Sequence, residues 1–185
     1  MDIEQSADAC GGLAWISERL FEVKGRLATD LDHGEPLDDR ARLLLARSSR
    51  RHGQHAQWWR AALPDSPALG GAERIRPPTD AWESLLAHME GAVPTAAVAA
   101  IYEVALPQLA LVIEHLGQEL SPVSDRAVIR TARIVAADLA EERYDSKEVW
   151  NPPSSPSDEG LEELATAFAN DYREKRWPPL VTLPR

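Results

Sequence analysis

"RRHGQHAQWW", Arg50 to Trp59, is the stretch on which the reading of this chain turns. It sets two histidines three residues apart inside a long apolar-periodic segment. At 100° per residue, His52 and His55 fall on the face that also carries Leu37, Ala41, Leu44, Leu45, Ser48, Ala56, Trp59 and Leu63, with arginines and glutamines opposite. The segment therefore reads as an amphipathic helix from about Leu37 to Leu63, stopped at Pro64, whose two imidazoles point inward one turn apart. Trp59 belongs to the core on this wheel and Trp58 to its edge.

Outward from this helix the same period recurs, and no alternating run is bounded by hairpin turn residues, so the class is all-α. Before it, Leu13, Ile16, Leu20, Val23, Leu27 and Leu31 mark a helix from about Leu13 to Leu31. After it comes "PDSPALGGAERIRPPT", whose prolines and glycines forbid a continuous helix. A short helix follows at Asp80, where "DAWE" matches a capping box. A longer one begins near Pro94 and extends to Leu120, with Pro107 expected to kink it. The next starts around Ser124 or Asp125 and runs to about Asp145. Residues 1–150 thus form a four-helix bundle of two antiparallel hairpins joined by a crossover. Residues 151–185 supply a linker that follows Trp150, "NPPSSPSDEG" within "WNPPSSPSDEG", a last helix, "LEELATAFANDYREK", and a tail, "RWPPLVTLPR", that pack on it.

The 185 residues carry a net charge of -10 and 44% hydrophobic residues, which suits a globular domain and excludes the dense basic surface that nucleic acid demands. Arginines 40, 42, 47, 50 and 51 cluster on one helix and read as a solvated face. The single Cys10 rules out an internal disulfide and, near a flexible N-terminus, suits a reducing compartment. The N-terminus lacks a secretory pattern, and no apolar run reaches the roughly 20 residues of a membrane span, so the expectation is a cytoplasmic protein without a membrane partner. Arginine far outnumbers lysine, as in chains from GC-rich bacterial genomes. No Gly-x-Ser-x-Gly context appears, and "LGG" at Leu69 to Gly71 is followed by no Lys-Ser or Lys-Thr pair. Trp82, Trp150 and Trp177 fall in or beside connecting segments, where indoles pin loops to a bundle.

The carboxylates sharpen the question set by the histidines. On the helix that ends near Asp145, the apolar face carries Ala127, Val128, Thr131, Ile134, Val135 and Leu139, and Asp138 and Glu142 lie on the same face. Two buried carboxylates at this spacing require partners, protons or a cation. The nearest inward polar groups are His52 and His55. Glu18 and Glu22, by contrast, oppose the leucine stripe of the first helix, and Glu103 and Glu114 share a narrow strip away from the apolar centre of theirs.

In helix order, crossover and inward polar residues, the stretch from Leu13 to Asp145 resembles the ferritin-like superfamily of carboxylate-bridged di-metal bundles. That resemblance implies one glutamate from each of two helices and a Glu-x-x-His pair from each of the other two. In "HGQH", His52 stands in the glutamate's place and His55 matches the histidine. In "DLAEE", Asp138 takes the glutamate's place and Glu141 stands where the histidine would, while Glu22 and Glu103 occupy the places of the single glutamates. The set is degenerate, and it reduces to a mononuclear site of His52, His55, Asp138 and Glu142. Those donors suit one iron, manganese or zinc ion, and they equally suit a buried hydrogen-bonded cluster holding none.

Two functions follow as expectations. In the first, the chain is a small-molecule enzyme, a tailoring oxidase or metal-assisted catalyst with Glu142 as ligand or proton acceptor. In the second it is a metal-free interaction or scaffold protein, acting on a protein partner or as a homodimer. A cavity reaching the cluster belongs to the first, and a closed core belongs to the second.

Overall fold

The computed structural model describes residues 1–30, 37–66, 71–149 and 159–173. Leu31, Leu69, Trp150, Trp177, the linker "WNPPSSPSDEG" up to Asp158 and the tail from Glu174 lie outside them. Among the described residues all regular structure is helical, which makes the chain all-α. Seven α-helices follow in order: α1 Ile3–Thr29, α2 Asp39–Ala61, α3 Asp80–Gly91, α4 Pro94–Ala99, α5 Leu106–Glu119, α6 Arg126–Val149 and α7 Glu159–Arg173. A 3-10 turn, Ala72–Arg74, precedes α3, and a π-helical turn, Ala100–Ala105, joins α4 to α5.

Helix α1 begins ten residues before the leucine stripe, because Asp2 and Gln5 form a capping box: Asp2 accepts from the Gln5 N–H at 2.8 Å and Gln5 from the Asp2 N–H at 3.0 Å. The expected flexible N-terminus is therefore helix, and Cys10 is buried in it. Gly11 is required there. A Cβ on it would lie 2.2 Å from the Arg74 carbonyl oxygen, so the 3-10 turn can seat on α1 only where that helix has no side chain. Arg74 ties the same contact to Asp8 at 2.5 Å.

Asp38, not Leu37, sets the start of α2 by accepting from the Ala41 N–H at 2.7 Å. Thr79, not Asp80, caps α3. At Pro107 the chain does not simply kink. The turn before it widens into the π form, which absorbs the missing N–H and the clash of the ring.

Helices α1 and α2 run antiparallel, shown by the contacts Glu18 to Arg60, Ser49 to Phe21 and Arg42 to Ala28. Helix α6 lies antiparallel along α2 through Arg47 with Asp145 and Arg51 with Glu141 at 2.9 Å, and it also packs on α5. Two of the supposed solvated arginines are thus rim ion pairs. The core between these helices holds Leu13, Ile16, Leu20, Val23, Leu27, Leu45, Trp59, Ile101, Leu106 and Leu139, all nearly free of solvent. Each such side chain contributes about 1.5–3 kcal/mol by leaving water. On the other side α3 packs on α1 and α7, with Trp82 and Phe168 edge to face at 5.0 Å. The segment Pro94–Glu119 is long and apolar enough to cross a membrane by length and composition, unlike the expectation, and 56% of its apolar window is buried in the protein itself.

Candidate functional site

Helix α6 buries a narrow stripe of Val128, Ala132, Val135, Leu139, Glu142 and Ser146. This is a 3.5-residue seam, tighter than the broad face expected from the wheel. Ile134 is consequently 39% exposed, Asp138 shifts to the rim, and Glu142 sits in the middle of the core at 2% exposure. From α2, His52 and His55 are both buried, at 0% and 1%.

The residue that brings these groups together is Lys24, on α1, which is wholly buried. Its ammonium forms an ion pair with Glu142 and lies 2.9 Å from His52 Nε2, and His52 Nε2 is 3.3 Å from the second Glu142 oxygen. Tyr102, carried by the π turn, completes the cluster. Its ring centroid is 5.7 Å from the Lys24 Nζ, and its buried hydroxyl has Ser48 and Glu142 as polar neighbours without forming a hydrogen bond of good geometry. The wider π turn re-aims side chains within a helix, and here it leaves Glu103 exposed while Tyr102 faces the cluster. His55 stands one step toward the rim, its Nε2 2.8 Å from Asp138 and its ring 5.6 Å from that of Trp58. Glu22 is exposed and paired with Arg19.

The electrostatics follow from burial first. Loss of water pulls the Lys24 amine below its ordinary value, against the pull of Glu142. Burial would raise the Glu142 carboxyl, but Lys24 and His52 outweigh it and hold the group well below the usual carboxylate range. His52 is lowered to about 4 by burial and by the adjacent ammonium, and His55 is lowered by burial against the opposing Asp138. Both imidazoles are neutral at pH 7. An ammonium has no acceptor, so His52 receives at Nε2 and keeps its proton on Nδ1. His55 donates from Nε2 to Asp138. The Nδ1 atoms of both rings are buried with no hydrogen-bond partner.

This arrangement does not fit the metal ion that the resemblance implies. A ligating imidazole almost always donates its other ring N–H to a fixed acceptor, and neither His52 nor His55 has one at Nδ1. His55 and Asp138 bond to each other, away from the Lys24 pair. Among the described residues no three His, Cys, Asp or Glu side chains converge as a metal group. The cation that His52 and Glu142 do hold is the side chain of Lys24.

Sequence reading missed Lys24, although its position was legible: it lies four residues after Leu20 and three before Leu27, within the leucine stripe. A lone lysine there reads as a side chain that snorkels to solvent. Its 0% exposure is a product of tertiary packing against α2 and α6. Comparison with protein-family models, curated proteins and solved structures finds no significant match to this chain.

Proposed function

We propose that this chain is a ferritin-like four-helix bundle acting as a metal-free interaction or scaffold protein, its polar core serving to fix helix register. The observation that carries this reading is closure. Lys24, His52, His55 and Glu142 are all at 2% exposure or less, and among the described residues the grooves lined by Ile129 and Ile134, by Phe21 and Gly53, and by Leu43 and Val149 do not include them. A buried ion pair between α1 and α6, with His52 of α2 against both members, penalises any slipped packing, because one charge would then stand alone.

The surface offers a docking face. Pro122, Arg126, Ile129, Arg130, Arg133 and Ile134 line a groove of about 370 Å³ on α6. Arg130 and Arg133 form no ion pair among the described residues of a chain whose net charge is -10. An apolar floor flanked by guanidinium groups suits an acidic amphipathic segment of a protein partner. The test is affinity capture from the source cells with three proteins. Wild type and the His52→Ala, His55→Ala variant should retain the same partner, while Arg130→Glu with Arg133→Glu should lose it. Turnover of a small molecule that depends on His52 would oppose this reading.

One observation favours the enzyme reading instead: π turns recur at functional sites, and this one sets Tyr102 over Lys24. Under that reading the chain would be a metal-dependent oxidoreductase whose core opens to admit substrate, and the same His52 dependence would reveal it.

A further inference from the structure

Lys24 from α1, His52 from α2, Tyr102 from the π turn and Glu142 from α6 meet around one atom, the Lys24 Nζ. That nitrogen holds the position a small cation would hold: His52 Nε2 is directed at it from 2.9 Å and the Glu142 carboxylate completes the pair. We propose that the core is a latent divalent-cation site that the ammonium of Lys24 fills, so that exchanging this one side chain for a carboxylate converts it into a site for one transition-metal ion. The proposal rests on reading the wild-type core as metal-free.

Charge and solvation carry the argument together. Lys24 and Glu142 sum to zero in a region with no exposure, where an uncompensated charge is costly. Lys24→Glu reverses one sign and leaves two carboxylates and a neutral imidazole, a set that a doubly charged ion brings back to neutrality. Water cannot substitute for that ion in a sealed core. Nitrogen and carboxylate oxygen donors of this kind suit zinc, cobalt and manganese, and the Tyr102 hydroxyl stands beside Glu142 as a further oxygen. The Nδ1 of His52 has no acceptor, so the ion should be held about 10–100-fold less tightly than by an imidazole whose outer nitrogen is fixed. His55 faces Asp138 and has no role in the first set of donors.

The test is titration of the full-length, untagged chain with cobaltous ion, read by its visible absorption and by thermal stability. Lys24→Glu should take one equivalent per chain, melt higher with cobalt than without, and lose affinity at least tenfold when His52→Ala is added. Wild type should take none. If Lys24→Glu fails to fold even when refolded with cobalt, Lys24→Cys decides, since its thiol is neutral without metal and supplies the second negative charge as a thiolate when cobalt binds. One equivalent of cobalt bound to that variant, dependent on His52, supports the site. Both variants metal-free beside an empty wild type overturn the latent site alone, and cobalt binding that ignores His52 overturns it too. Wild type that binds cobalt through His52 overturns the metal-free reading beneath it.

Discussion

The Lys24 ammonium and the Glu142 carboxylate stand 118 positions apart in the chain and form an ion pair with no access to solvent. This single contact joins α1 to α6 across α2, and its environment leaves neither charge an alternative partner in water. The energetics of the fold at its centre depend on both members being present.

Removing one member should therefore cost far more than removing both. Lys24→Ala leaves a carboxylate buried alone and should destabilise the chain by about 3–5 kcal/mol. Lys24→Met combined with Glu142→Leu should be near neutral, or stabilising by about 1–4 kcal/mol, because neither charge remains to be desolvated. Urea unfolding of Lys24→Met, Glu142→Leu and their double variant gives the coupling directly, and additive losses would contradict the paired account.

Acid should unfold the protein in two overlapping steps. His52 titrates near 4 in the folded chain against 6.5 when free, so between these values the unfolded chain binds a proton that the folded chain refuses. Stability falls as pH drops through that window, by about 3 kcal/mol in all, and no further below pH 4 from this group. Glu142 is depressed in the fold, so its contribution is present above its free value of 4.5 and is lost on further acidification. Lys24 is depressed as well, and its burial cost diminishes as pH rises toward 10.5. Urea midpoints measured from pH 4 to 10 should rise across the range, and His52→Gln should flatten the part between pH 4 and 6.5.

Gly11 should not tolerate the substitution that ordinarily stabilises a helix. Gly to Ala in a helix interior gains about 1 kcal/mol, but here the new methyl meets the Arg74 carbonyl at 2.2 Å. Gly11→Ala should lose about 1–3 kcal/mol instead. A gain in thermal stability would show that the turn at Ala72–Arg74 can move off α1.

Cys10 should be inert in the native chain. Burial, with Asp125 nearby, pushes its thiol up to about 12, and its side chain is 1% exposed. Ellman's reagent should label it only at the rate of unfolding.

The all-α class, the leucine stripe and the inward turn of His52 and His55 were legible because helical period alone decides them. What escaped has physical causes. The wheel for α6 assumed a broad face where the packing uses a 3.5-residue seam, so Ile134 was placed inward and Asp138 too deep. The early start of α1 had a signal in the spacing of Asp2 and Gln5, and Gly11, a poor helix former, has its reason in the close approach of Arg74. Lys24 had no local signal of its role, since burial of a lysine depends on a carboxylate far along the chain. The π turn was likewise hidden behind Pro107, which announced a disturbance without its form.

Lys24 is the cation of this core. Elemental analysis of the untagged wild-type chain, after anaerobic incubation with ferrous, manganous and zinc ions and removal of excess, tests that most directly. The predicted result is less than a tenth of an equivalent of each metal, unchanged by His52→Ala with His55→Ala. One equivalent that disappears in that variant would contradict it.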